Sequence, residues 1–498
     1  VLILELVSPA GGGGNDAAFG RNLPQEKQIL HVLNRLTFGP APGDIDRVRK
    51  TGLQKWMEQQ LHPERVPENP VLESKLRPLE SLRMDSAEMV RNYPPRQMIR
   101  TVTQGRRLAP QQVVALDLGQ AKILRAIYSN RQLTEVLADF WYNHFNVFLD
   151  KGADRYLVTS YERDAIRPHV LGRFQDILRA TAEHPAMLFY LDNWQSVDPN
   201  AVQRRGRRTP GGGRLRGLNE NYARELLELH TMGVDGGYTQ KDVTEVARCF
   251  TGWTIRDPRR GGAFEFNMRM HDPGEKTVLG VRIPAGGGKE DGLKVLDLLA
   301  KHPSTARFIS YKLAQRFVAD QPPPLLVERM AKTFRDKDGD IREVMRMMLS
   351  SREFRSEGAF HSKVKSPLEM VTSAVRAMGG DVNFAFALVA QVGRLGQPLY
   401  RKQEPTGYPN SGEEWVNSAG LVGRMNFAVA LTSSKLPGVK IEAARWQSAS
   451  REQVAREILF SDASTQTRAA IEKSLADGRA DQTTIAALVI GSPEFQRR

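Results

Sequence analysis

Asn219-Glu-Asn-Tyr-Ala-Arg-Glu-Leu-Leu-Glu-Leu-His-Thr-Met-Gly233 carries the marks of one complete helix. Asn219 is suited to cap its start, Glu220 to its positive end, and Gly233 to stop it. At 3.6 residues per turn, Tyr222, Ala223, Leu226, Leu227 and Leu229 share an apolar arc. Asn221, Arg224, Glu225 and Glu228 fall on the opposite arc, and His230 projects from within the apolar one. The same two-faced pattern recurs in residues 132–148. There Leu133, Val136, Leu137, Phe140, Trp141 and Phe148 form the arc to be buried, with His144 inside it. Glu135, Asp139, Asn143 and Asn146 form the other face. Asparagine is a poor helix former, so two of them about a turn apart point to specific hydrogen bonding. The partner is either a ligand or a neighbouring loop.

Helical periodicity extends outward from these two segments. Residues 26–61 read as two helices, the second capped by Asp44 and interrupted at Thr51-Gly52. Residues 62–110 are charged and broken by prolines, and a long helical block follows from Gln111 to about Leu191. Thr239 to Trp253 reads as a helix capped by Thr239 or Gln240, with Asp242 in its first turn. Between 256 and 292, alternating Phe264 and Phe266 and the run His271-Asp272-Pro273-Gly274 suggest a small β-hairpin or meander. Helices resume from Gly292 to about Met378. Residues 341–354 echo 484–495, each an apolar helix running into Glu-Phe. The expected fold is mainly α: a large multi-helix array, with toroid-like closure as one arrangement. Residues 1–25 form a flexible N-terminal segment and 26–498 a single large helical domain. That domain includes a basic Gly-rich loop at 198–217, the β element at 256–292 and a C-terminal helical part at 380–498.

Composition bounds the function. The 498 residues carry a formal charge of +14, which fits either a polyanionic partner or a well-solvated basic surface. The aromatic motifs of RNA-binding sheets and zinc-finger spacings are absent, so nucleic acid is a weak expectation. No apolar run approaches the roughly 20 residues of a membrane span. The start, Val1 to Ala10, is short, lacks a basic residue and contains Glu5, which makes a poor export signal. The single cysteine, Cys249, excludes an internal disulfide and reads as a buried structural thiol.

Several features carry potential chemistry. The 198–217 loop interleaves six arginines with glycines, and reads as a solvated loop or an anion-gripping lid. His144, His230 and His271-Asp272, with Glu225 or Glu228, have the residue types of a divalent-metal site, but no short ligand spacing joins them. No cofactor is expected beyond that metal alternative. Tyr400, Tyr408 and Trp415 sit in a Pro/Gly-rich loop, where they form either an aromatic platform or a structural cement. P-loop, dinucleotide and serine-hydrolase signatures are absent.

Five stretches together resemble the bacterial domain of unknown function 1800 family. They are His31-Val-Leu-Asn-Arg-Leu-Thr-Phe-Gly39, Phe140-Trp-Tyr-Asn-His-Phe145, Asn219 through Trp253, His271-Asp-Pro-Gly-Glu-Lys-Thr-Val-Leu-Gly280, and the region from Gly396-Gln-Pro-Leu to Trp415. The resemblance spans about residue 26 to 498. It implies a predominantly helical protein, export to the periplasm or beyond, and a gene neighbourhood shared with a sulfatase-like partner family. It attaches no activity, so no catalytic residue carries over.

Three functions compete. The first is an extracytoplasmic hydrolase of a glycan, acidic glycans included. Glu225 or Glu228 would be acid or base with Asp242 as partner. Asn143, Asn221, Arg224, His144, His230, Tyr408 and Trp415 would bind substrate. The second is a non-enzymatic scaffold or accessory partner of a sulfatase-like protein, and the third is the metal-dependent enzyme. The deciding geometry is whether Asn143, Asn221, Arg224, Glu225 and Glu228 converge.

Overall fold

The computed structural model describes residues 15–94, 110–200, 217–441, 449–461, 463–476 and 481–498. Of the described residues 61% are helical, and the strands among them form three antiparallel two-stranded pairs. One contiguous set of buried apolar side chains runs from Phe19 to Phe495.

The Asn219–Gly233 segment is helical, but in two forms. Glu220–Glu225 is α-helix and Leu226–Thr231 is π-helix. Asn219 caps it as its side chain requires, accepting from the Asn221 amide at 2.9 Å. The wider turn is held by the Met232 amide on the Leu227 carbonyl at 2.8 Å and by the Thr231 hydroxyl on the Leu226 carbonyl at 2.6 Å. A π turn takes more residues per turn, so side chains beyond Leu226 lag the 3.6-residue phase. Leu229 is accordingly only half-buried, whereas His230 is buried fully. Gly233 ends the segment at φ 81, and a Cβ there would stand 2.9 Å from Phe308.

Elsewhere the boundaries shift for local reasons. Residues 26–61 form three helices, Gln25–Leu36, Asp44–Thr51 and Leu53–Leu61, because Gly52 turns the chain at φ 88. Asp44 is the first helical residue and not the cap; its carboxylate instead accepts from Ala41 and the buried Arg376. The block from 110 divides into Pro110–Tyr128, Gln132–His144, Asp154–Ser160, Phe174–Glu183 and Pro185–Tyr190, with a second π segment at Tyr161–Ile166. Part of the expected flexible N-terminal segment is ordered, since Asn15–Phe19 is helical and Phe19 is buried. Residues 1–14, and 201–216 of the basic loop, lie outside the described residues. The loop's ends are tied, Val197 to Gly217 and Asp198 to Met270, through backbone hydrogen bonds.

The β element is two separate hairpins. Trp253–Ile255 pairs with Phe264–Phe266, and Lys276–Val278 with Val281–Ile283. The preceding helix stops at Cys249, leaving Trp253 free to start a strand. A third pair, Asp381–Val382 with Val439–Lys440, was not signalled by alternation because each strand has two residues.

The second hairpin is anchored by a buried ionic group. Asp291 meets Lys276 at 2.7 Å and His271 at 3.2 Å, with all three side chains fully shielded. Removing one member of such a set leaves the others buried without compensation, at a cost of roughly 3–5 kcal/mol. Asp291→Asn should therefore shift the urea unfolding midpoint sharply downward. A midpoint equal to the parent's would show that the group is not holding the hairpin.

Candidate functional site

The polar face of the Gln132–His144 helix lines a cleft that opens to solvent. Asp139, Asn143 and Asn146 line it, together with Lys122, Glu369, Tyr408 and Trp415. The Asn alternatives resolve in favour of a loop. Asn143 donates to the Tyr408 carbonyl and accepts from the Tyr408 amide, both at 2.6 Å. Asn146 donates to the Lys402 and Glu404 carbonyls at 3.0 and 2.9 Å. Gly407 permits this docking: it has φ 70, and a Cβ would fall 2.2 Å from the Asn143 carbonyl oxygen. The two amides thus carry the C-terminal loop and set Tyr408 and Trp415 over the cleft, with ring centroids 6.0 Å apart.

Beneath this loop lies a network of buried charges. Lys122 sits 3.0 Å from Asp139 and 3.7 Å from Glu162. Arg167 grips Glu135 at 2.5 and 2.9 Å and approaches Glu162 at 3.6 Å. Tyr400 donates to Glu162 at 2.5 Å. Burial works against each charge, but the partners outweigh it. Glu162 is held below the usual carboxylate range by Lys122, Arg167 and Arg125, and Lys122 is held above its ordinary value by Asp139 and Glu162. Across the cleft, Glu369 is ion-paired with Arg316 at 2.6 Å and with Arg498 at 3.0 Å. Lys363 is bonded to Asp320 and to the Asn410 carbonyl, and burial brings its amine down to about 8.

The other expected site residues lie apart from these walls. Asn221, Arg224, Glu225 and Glu228 do not line the cleft that Asn143 lines, so the five residues do not share it. Asn221 is exposed, and Arg224 donates to Gln240 at 2.7 Å. Asp242 closes a capping box with Thr239 and accepts from the Leu279 amide at 2.7 Å, which commits both carboxylate oxygens to backbone duty. Glu225 is half-buried; burial first, and then the neighbouring Glu228 charge, push its carboxyl above the ordinary range. Its link to the cleft is Tyr190. The Tyr190 hydroxyl donates to the Gln403 carbonyl at 2.6 Å, and it is raised by burial while responding to both Asn146 and the Glu225 charge.

His144 and His230 do meet, with ring centroids 6.4 Å apart. His144 Nε2 is 3.0 Å from the His230 carbonyl, so this nitrogen carries the proton. Burial lowers both rings, His230 to about 3, and keeps them neutral. His271 is engaged elsewhere, by Thr251 and Asp291. Among the described residues no three His, Cys, Asp or Glu side chains are arranged to hold a metal ion, so the proposed ligand set does not gather. No described helix is long and apolar enough to cross a membrane. Cys249 is buried and raised by that burial to about 12, as suits an inert thiol.

Sequence reading missed Lys122, Glu162, Arg316, Lys363, Glu369 and Arg498. A signal existed for Lys122, a lone charge between the fully buried Ala121 and Ile123. Arg316, Glu369 and Arg498 come from separate helices and the chain's last residue, and only folding joins them.

A mainly helical body with one polar, aromatic-rimmed cleft is thus the class of protein defined by fold and site. The profile described as "Protein of unknown function (DUF1800)" matches residues 31–497, and the chain belongs to that family. No curated protein and no solved structure matches it.

The raised Glu225 carboxyl has a consequence for stability. The native state prefers its protonated form, so stability is lost as pH climbs from the ordinary value of 4.5 through the higher folded value. Glu225→Gln should therefore unfold at a higher temperature than the parent at pH 7, with the difference closing toward pH 4. A gap that widens on acidification would contradict this.

Proposed function

We propose that the protein is a glycan-acting hydrolase that lays its substrate in the cleft under Tyr408 and Trp415. The supporting observation is the pairing of these two rings, 6.0 Å apart, with an ion-paired polar floor in one open cleft. Sugar faces stack on such rings, and sugar hydroxyls hydrogen-bond to paired charges such as Lys122 and Asp139. Among the lining side chains four cations (Lys122, Arg316, Lys363, Arg498) stand against two carboxylates (Asp139, Glu369), which favours an acidic glycan. Glu162 and Asp320 stand behind Lys122 and Lys363 and temper that preference.

Hydrolysis needs a carboxyl that remains protonated near neutral pH beside one that does not. Glu225, raised by burial and by Glu228, is the group that supports this role. Its reach to the cleft runs past Tyr190 and the 402–404 loop, so the chemical step requires that loop to shift. A periplasmic or secreted location and a sulfatase-like partner accompany the family resemblance and complete the proposal. The accessory-partner reading has its own support: Asn143, Asn146 and His144 all spend side-chain hydrogen bonds on backbone carbonyls, as a structural network does.

Titration with polygalacturonate and with dextran, read by tryptophan fluorescence, tests both readings. The hydrolase reading expects a change on binding that is lost in Trp415→Phe and is larger for the acidic polymer. It also expects turnover that falls by about 10²–10⁴ in Glu225→Gln with binding retained. Binding without turnover in the parent selects the accessory reading, and no binding of either polymer sinks the glycan assignment.

A further inference from the structure

The two walls of the cleft differ in charge balance. Under the loop, Lys122, Arg125 and Arg167 are met by Asp139, Glu135 and Glu162. On the opposite wall the buried cations Arg35, Arg316, Lys363, Lys365, Arg424 and Arg498 share Glu369 and Asp320. Glu369 is fully committed. Its Oε1 meets Arg316 and Arg498, and its Oε2 accepts from the Ser366 amide at 2.8 Å. The β-bridge between Val364 and Arg497 parts the two lysines. Lys363 is paired with Asp320. Lys365 has the Phe495 ring centroid 3.9 Å from its Nζ and, among the described residues, no carboxylate within ion-pair distance. A carboxylate at Arg498 itself, whose main-chain oxygen accepts from the Lys363 amide at 3.3 Å, still leaves cations in excess.

Buried charge without a counter-charge is costly, and this wall shows the excess in its hydrogen bonds. Arg316 uses Nη1 on Glu369, and among the described residues its Nε and Nη2 have no acceptor. Arg498 donates through Nη2 to the Arg316 carbonyl at 3.0 Å and meets Glu369 through Nε, which leaves Nη1 without an acceptor among them. Both side chains are more than nine-tenths buried, and both line the cleft beside Lys363. The Pro367–Ala377 helix begins there too, at Ser366, and adds the positive end of its dipole. Its first amides are taken by Gln397 and the capping box, so it contributes field rather than hydrogen bonds. The proton affinities agree. Burial brings Lys363 down to about 8, Lys365 to about 7 and Arg35 to about 9. Burial of Lys122, on the balanced wall, is outweighed by Asp139 and Glu162.

We propose that this end of the cleft is a binding site for a small oxyanion of phosphate size, held between Arg316, Arg498 and Lys363. The guanidinium groups supply charge-assisted hydrogen bonds from the nitrogens that lack acceptors, and Lys363 adds a point charge. The anion offsets the surplus that Glu369 and Asp320 leave. The free space of the cleft, about 50 Å³, has room for a few waters or for one such anion. The oxyanion is either free or the charged group of a larger molecule. In the second case the inference rests on the glycan reading and sharpens it: the acidic substituent enters the charged end, and the sugar rings stay under Tyr408 and Trp415.

The test is calorimetric titration of the full chain with inorganic phosphate at pH 7, with ionic strength held constant by chloride. Phosphate should bind saturably at one site and raise the unfolding temperature, and chloride alone should give no rise. Arg316→Gln should weaken phosphate by about tenfold or more, the loss of charge-assisted hydrogen bonds. Asp320→Asn enlarges the surplus and should tighten binding. A gain of affinity cannot come from misfolding, so this arm decides the matter even if Arg316→Gln fails to fold. Competition with polygalacturonate separates the two sources. Displacement of the polymer by phosphate identifies its carboxylates as the occupant, and phosphate binding without displacement identifies a free anion. Absence of saturable phosphate binding, or equal affinity in the parent and both variants, would overturn the proposal. The hydrolase reading is untouched by that result, because its turnover is measured separately on the polymer.

Discussion

The burial of Glu162 is the constraint around which the functional half of the molecule is organised. A carboxylate removed from water is tolerable only when cations and hydrogen-bond donors close around it. Lys122, Arg167 and Tyr400 do so, each from a different part of the chain, and Arg125 adds its charge. Those contacts hold the Pro110–Tyr128 helix, the Gln132–His144 helix and the C-terminal loop in one arrangement. The cleft lies between these elements, and its floor is the solvent-facing edge of the network. Because every member depends on the others, removing one would leave the rest buried without compensation.

Glu162 itself lies in a π turn, and the second π turn carries Glu228 and His230. Such turns are rare and frequent at functional sites, since one extra residue re-aims the side chains that follow it. In the first, the result is a buried carboxylate. In the second it is a neutral histidine packed under His144, with Glu225 left half-buried just before the turn. The two helices with matching polar stripes therefore touch through their histidines, while their polar faces point to separate regions joined by Tyr190. The Val364–Arg497 bridge is a comparable divider on the other side, separating a paired lysine from an unpaired one two residues away.

Much of this was legible in the residues. Asn219, Thr239 and Gly233 announced their helix ends because capping is local chemistry. Asp139 and Asn143 were recognisable as one face because helical spacing places them there; Asn146 lies beyond the helix's end at His144, short of the expected end at 148, yet lines the cleft with them. Two inferences of the same kind failed. Leu229 was placed by a 3.6-residue period that a π turn interrupts, and Asp242 has the residue type of a catalytic acid but the contacts of a cap.

By itself, then, the sequence determined the mainly helical class, the capped and glycine-stopped ends, the two polar stripes and the family. Each depends on interactions within a few residues or on pattern alone. Only the tertiary structure decided which stripe lines a cleft, which carboxyl is raised and which lysine lacks a partner. Those properties depend on solvent exclusion and on charges brought together from distant positions, such as Glu369 with Arg498 and Glu162 with Tyr400. No local pattern specifies them, because desolvation and pairing arise only when the whole chain has closed around them.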